Sequence, residues 1–466
     1  MKKEGINMLA GFSVKNYKSF KKSQSISFKA TKISRHKEHT LLVGDKKILK
    51  SGLIYGANAG GKSNLITAVH FSREIVLYGL DSVDLSKKYF RISNEEYKNA
   101  GVFEYRIIID DKEYSYGIAI SYLKKEILSE WLVRIDKSGE EICLFNRNVD
   151  ESGVSHIETD IIYKTIEEKA RMGIYLEDFG ENISESFRRK TILSDIALRG
   201  NAKKGVFTEI TSVYQWFKNI IILFPNSKYN GLNEVATDNN KKLFFSKIMN
   251  YFDTGIENIE GQSQAMDFDK ILEDLPREDL EKIKVDISNQ ASENPIMFKL
   301  DKQVFILRKD ENGDFVYNKI LLNHGNVEDM FEYDDESDGT KRLFDLVPLF
   351  YENKRSNVIL IDEIDRSLHT ILTRRFLELF YEITEGDKCQ LIATTHDSNL
   401  LDLELLRQDE IWFIERQEDH SSAIFSLNKF RERYDKKIDK EYLLGRYGAI
   451  PIFNKENLVM EEADDK

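Results

Sequence analysis

Apolar and polar residues alternate along Phe12-Ser13-Val14-Lys15-Asn16-Tyr17, and the period returns at Ile26-Ser27-Phe28, so the chain opens with strands. A short apolar run, Leu53-Ile54-Tyr55, gives way to a glycine-rich turn, after which Leu65, Ile66, Ala68, Val69 and the stretch 72–76 recur at helical spacing. Val102–Ile109 and Tyr114–Ile120 alternate again on either side of Asp110-Asp111-Lys112, which predicts antiparallel strands over 102–135. Beyond about residue 140 the pattern turns helical, at 161–171, 207–222 and from Glu278 to Ile283. Strand pattern returns over 296–322, with Glu311-Asn312-Gly313-Asp314 as a turn. Two late apolar runs, Val358–Ile361 and Leu391–Ala393, lack alternation and read as parallel strands covered on both faces. No heptad is sustained through 140–325, which excludes a long coiled-coil arm there.

Composition narrows the class. With 41% hydrophobic and 32% charged residues, the chain reads as a soluble globular protein, and no run approaches the roughly 18 apolar residues that would span a bilayer. Membrane insertion is not expected, and the N-terminus does not read as a secretion signal. Cys143 and Cys389 stand far apart, with no Cys-x-x-Cys pair and no metal-ligand spacing, so a reducing cytoplasm is the expected setting. The net charge is −12, yet residues 1–50 hold 13 Lys plus Arg against Glu4, Glu38 and Asp45. That basic stretch is either a set of solvated strand faces and turns or a patch for nucleic acid or another partner.

The glycine turn carries the chemistry. Gly56-Ala57-Asn58-Ala59-Gly60-Gly61-Lys62-Ser63 fits Gly-x-x-x-x-Gly-Lys-Ser/Thr, with Asn64 just beyond it. Small residues let successive N–H groups face phosphates, the Lys62 ammonium reaches the terminal phosphates of ATP, and the Ser63 hydroxyl ligates Mg²⁺. Val358–Ile361 ends in Asp362-Glu363, where Asp362 is expected to hold magnesium and Glu363 to orient or deprotonate the attacking water. Gln390-Leu391-Ile392-Ala393-Thr394-Thr395-His396 ends one strand further on, where the His396 imidazole can contact the γ-phosphate. Glu336-Ser337-Asp338-Gly339-Thr340 opens an apolar helix. Ser337 is an N-cap there, and the same geometry is an anion site.

With these residues in order, the chain resembles the ABC-type P-loop ATPases that include the structural-maintenance-of-chromosomes, RecF and overcoming-lysogenisation-defect groups. More narrowly it is similar to the bacterial AAA-domain ATPases encoded beside RloB-like proteins and to related phage-abortive systems. The matching stretches are 12–20, Ile361–His369, Thr394–Asp402, Arg407–Phe413 and Tyr442–Pro451. The resemblance implies an α/β, ABC-type ATPase head with an antiparallel β lobe, in parts 1–139 and 326–430. A mainly helical insertion with a terminal hairpin, 140–325, splits the head, and a tail, 431–466, follows it. It also implies two heads packed head to tail, with ATP between Lys62 of one and Ser337 and Gly339 of the other, and Asp365 at the seam. The signature reads Ser-Asp-Gly-Thr in place of Ser-Gly-Gly-Gln. No glutamine occurs between Gln24 and Gln215, so either Asn94 or Glu95 stands in the loop that usually supplies one. Overcoming-lysogenisation-defect proteins carry a nuclease after the head. Only 36 residues follow Phe430 here, so a nuclease effector is expected as a separate chain. The resemblance thus points to a cytoplasmic ATPase sensor of anti-phage defence. A RecF-like ATPase that binds DNA directly is the alternative, and a transporter subunit is disfavoured by the missing glutamine and the insertion.

Overall fold

In the computed structural model, Ser51–Tyr55, Gln390–Thr394 and Val358–Ile361 lie side by side as parallel strands, each buried along its whole length. The structure describes residues 6–136, 138–181, 183–199, 205–226, 239–265, 296–300, 303–309, 315–352, 358–386 and 388–451. Ile221–Leu223 adds to the free side of Val358–Ile361, Ile411–Arg416 pairs with Ser51–Tyr55, and Ser422–Ser426 closes the six-stranded sheet antiparallel. Five carboxyl ends therefore share one edge, the edge at which open α/β sheets place their ligands.

A second, antiparallel sheet of seven strands belongs to the same compact unit, which comprises residues 1–224, 355–364 and 384–466. Its order is Ser155–Glu158, Glu141–Val149, Glu126–Ile135, Lys112–Ser121, Gly101–Ile109, Asn7–Lys15 and Gln24–Ser27. The expected hairpin turns at Asp110-Asp111, with Asp110 in the left-handed region at φ 54°. Buried Gln390 joins the two sheets, because its amide accepts from the Leu9 N–H at 2.8 Å and donates to the Leu9 and Leu49 carbonyls.

One expectation fails here and two expected helices shift at their ends, each for a physical reason. The antiparallel sheet does not end near residue 139 but runs on through Glu141–Val149 and Ser155–Glu158. Arg147 hides that strand from an alternation test. It shares the inward face with Phe145, is fully buried, and donates from its two terminal nitrogens to the carbonyls of Lys190 and Ile127. The helix expected over 207–222 is Val206–Lys218, and Ile221–Leu223 is a parallel strand, since a short apolar run fits either element. The helix expected at 161–171 is Ile166–Glu177, started by Thr165, whose hydroxyl accepts from the Glu168 N–H.

The other compact unit comprises residues 225–354 and 365–383. Within it Asn258–Ala265, Phe315–Asn323, Gln303–Lys309 and Ile296–Leu300 form an antiparallel sheet that Phe331–Glu332 extends, in keeping with the strand pattern read over 296–322. The described residues of the segment 140–325 thus mix helices and strands rather than being mainly helical. Helix Asp338–Leu346 packs Phe344 against Phe245 and Tyr333. The helix expected at 278–283 and the turn at 311–314 lie outside the described residues.

Part of the basic stretch at the start of the chain is spent on internal contacts, while Lys15, Lys22, Lys32, Arg35, Lys37 and Lys47 are exposed. Lys29 and Lys46 both pair with buried Glu113, Lys50 donates to the Thr384 carbonyl, and Lys18 donates to Thr67 Oγ1. Arg407 works from the other side, donating to Asp409 and to the carbonyls of Thr31, Ile33 and Arg35, while Asp409 accepts from Thr31. Arg407→Ala would leave Asp409 buried without its cation, at a cost of about 3–5 kcal/mol. A urea unfolding midpoint equal to that of the wild type would contradict this.

Candidate active site

The phosphate loop leaves Ser51–Tyr55 and ends in helix Lys62–Tyr78, and glycine is required by what lies behind it. Gly61 has φ +114°, and a Cβ there would overlap Ser422 Oγ and lie 2.8 Å from Ser19 Oγ. Those two serines brace the loop: Ser422 Oγ donates to the Gly60 carbonyl at 2.6 Å, and Asn64 Nδ2 donates to Ser19 Oγ at 2.8 Å. The helix starts with no side-chain cap and no acid in its first turn. First-turn N–H groups lie beyond the reach of the helix's own carbonyls, so this start suits an anion. Asn58 and Ala59 are exposed at the loop tip, Ala59 at φ 61°.

Lys62 is only 4% exposed, and its ammonium folds back to donate to the Gly56 and Ala57 carbonyls at 2.6 and 3.1 Å. A buried ammonium needs such acceptors. It also lies 3.3 Å from His396 Nδ1. An ammonium only donates, so Nδ1 accepts, and the imidazole proton sits on Nε2, which is 3.6 Å from Glu363 Oε1. Lys62, His396 and Glu363 therefore form one line across the sheet edge.

The acids take their places from the strand beside them. Asp362 is buried, and its Oδ1 accepts from the Thr394 hydroxyl at 2.6 Å, while the same hydroxyl accepts from the Glu363 N–H at 2.8 Å. Glu363 sits at φ 53°, a left-handed conformation that costs a non-glycine residue about 1 kcal/mol or more and is concentrated at functional sites. Lys18 brings a second ammonium into this region: burial pushes its pKa down, Lys88 does the same, and Asp362 opposes both. Thr394, Ser19, Ser422 and Lys18 escaped the sequence reading. Lys18, Ser19 and Thr394 carried a signal, their places within the matched stretches 12–20 and Thr394–Asp402.

Ser337, Gly339 and Asp365 belong to the second unit. Ser337 caps its helix, accepting from the Thr340 N–H at 3.1 Å, and is exposed along with Asp338. A Cβ on Gly339 would lie 2.9 Å from the Ser367 carbonyl oxygen, so this glycine lets the helix start approach the segment that begins at half-buried Asp365. Gln24 accepts from the Ile424 N–H, Glu95 pairs with Lys98 on the surface, and Asn94 is exposed.

The residues present fit a magnesium nucleotide. Ser63 and Asp362 offer oxygen donors only, as magnesium prefers, and the loop offers an uncapped helix start and a lysine. Among the described residues no helix is long and apolar enough to cross a membrane.

A strand, phosphate loop and helix, flanked by two acids and a histidine on the neighbouring carboxyl ends, define a nucleotide-binding P-loop ATPase. The chain belongs to the family described as "AAA domain, putative AbiEii toxin, Type IV TA system", which matches residues 53–188 and 210–402 and so includes the phosphate loop, Asp362, Glu363, His396, Ser337, Gly339 and Asp365. Among solved structures it is similar to the SMC head bound to the C-winged helix domain of ScpA. The identity there is 14% over 91% of this chain and 99% of that one, at a TM-score of 0.38. It is also similar to the SMC head domain from Thermotoga maritima, with 13% identity over 90% of this chain and 98% of that one, at a TM-score of 0.35. No curated protein matches it.

Proposed function

We propose that this chain hydrolyses ATP in a site completed by a second copy of itself, and that its nucleotide state controls a separately encoded effector, such as a nuclease, in anti-phage defence. The line Lys62–His396–Glu363 beside buried Asp362 carries the catalytic part of this reading. Lys62 exchanges its loop carbonyls for phosphate oxygens, Ser63 and Asp362 hold magnesium, and Glu363 takes the proton of the attacking water. His396, between the two, donates from Nε2 to the γ-phosphate or to Glu363. Magnesium, when bound, neutralises charge on the phosphates.

The exposed residues Ser337 and Asp338 at a helix start support a shared site, since the resemblance to ABC-type heads assigns this helix start to a partner's nucleotide. The family description, which names a toxin and a Type IV toxin–antitoxin system, supports a defence role with a second component.

Mixing two inactive variants tests the shared site. Ser337→Arg is expected to bind ATP normally but not hydrolyse it, and Lys62→Ala to do neither. A head-to-tail pair of one of each holds one intact site, so an equal mixture should recover about a quarter of wild-type turnover. No recovery above either variant alone would sink the shared site. The effector claim is tested by co-purification with the product of the adjacent gene, whose activity should change when Lys62 is replaced. An adjacent product that neither associates nor responds would remove it.

A further inference from the structure

At the opposite end of the phosphate-loop strand, the 3₁₀ turn Lys37–His39 and the residue before it gather His36, Glu38 and His39, one ligand atom from each lying within 4.8 Å of the others. His36 Nδ1 is 3.4 Å and His39 Nε2 3.8 Å from the same Glu38 Oε1. The far nitrogens define the protons. His36 Nε2 is 3.0 Å from the Leu403 carbonyl, which only accepts, so that nitrogen carries the hydrogen and Nδ1 presents a lone pair. His39 Nδ1 is 3.0 Å from Glu410 Oε2. Glu410 is fully buried and also accepts from Ser51 Oγ and the Arg407 N–H, so Nδ1 donates and Nε2 presents a lone pair. Two imidazole nitrogens and a carboxylate oxygen thus lie within 4.8 Å of one another, the two rings being close to parallel at 25°.

We propose that His36, Glu38 and His39 bind a divalent transition-metal ion of the zinc class. Tetrahedral zinc with bonds of about 2.0–2.1 Å has ligand–ligand edges of roughly 3.3 Å, close to the 3.4 Å and 3.8 Å separations here. Histidine ligands whose second nitrogen donates to a carbonyl or carboxylate are the usual support of such sites, and both histidines have that support. Two nitrogens among three ligands argue against magnesium or calcium. Half-exposed Glu38 leaves the remaining position to water.

The site is separate from the nucleotide. Ser51, bonded to Glu410, begins the strand whose far end carries the loop, and five residues at about 3.3 Å each place roughly 15 Å between them. The ion would fix the turn at residues 36–39, which Arg407 and Glu410 already hold from behind.

The test uses the full chain, stripped with a chelator and titrated with Co²⁺ in the absence of nucleotide. One equivalent should develop visible ligand-field bands that Zn²⁺ abolishes. His36→Ala and the surface change Glu38→Gln should weaken Co²⁺ binding by about 10–100-fold or more, with nucleotide binding at Lys62 retained as the check on folding. Asp362→Asn should leave the bands intact. Three results would overturn the proposal: no bands at excess Co²⁺, which would mean an imidazolium–carboxylate cluster only; bands unchanged in both ligand variants; or bands lost with Asp362→Asn.

Discussion

Glu363→Gln is expected to bind ATP as tightly as the wild type, to turn it over about 100- to 10,000-fold more slowly, and to accumulate as an ATP-bound dimer. The size is that of a general base, because the amide keeps the shape of the carboxylate but cannot take the proton of water. Two features of the structure make the replacement a clean one. The Glu363 backbone is fixed by the Thr394 hydroxyl rather than by its own side chain, and its left-handed φ belongs to the residue position. The 3.6 Å approach of Glu363 to His396 survives as a dipolar contact. Steady-state phosphate release and gel filtration with and without ATP are the measurements. Turnover equal to that of the wild type would remove Glu363 as the base.

Lys62→Ala has the second large effect, and it falls on binding. The ammonium makes charge-assisted hydrogen bonds to two loop carbonyls, which the phosphates would inherit. Two such bonds at about 1.5–3 kcal/mol each correspond to an affinity loss of at least about 100-fold. Titration with a fluorescent nucleotide measures it, and an affinity within threefold of the wild type would mean that the loop is not where phosphate binds. The variant also leaves the Gly56 and Ala57 carbonyls without this partner, so a modest fall in melting temperature should accompany the loss.

Much of the site was legible because its residues are tied to short-range geometry. A tight turn needs glycine, a buried strand needs an apolar run, and the acids must follow such a strand; each leaves a mark within eight residues. What was missed depends on partners far along the chain. Thr394 looks like the end of a strand until its hydroxyl is seen between Asp362 and Glu363, and Ser422 until it closes on Gly60, 362 residues away. The fold was misread where a buried polar group broke a pattern, as Arg147 does in Glu141–Val149. It was also misread where a run was too short to choose an element, as at Ile221–Leu223.

The Gln390 amide, which meets Leu9 across 381 residues of sequence, bears on how the molecule is made. Ser51–Tyr55 leaves the ribosome early, but both of its neighbours, Gln390–Thr394 and Ile411–Arg416, are synthesised in the last fifth of the chain. Throughout that interval its edges have no partner. Parallel pairing at such separation is slow, and unpaired apolar strands invite aggregation. The nascent chain is therefore expected to engage chaperones until Gln390–Thr394 and Ile411–Arg416 have been made, and to become competent for nucleotide only then.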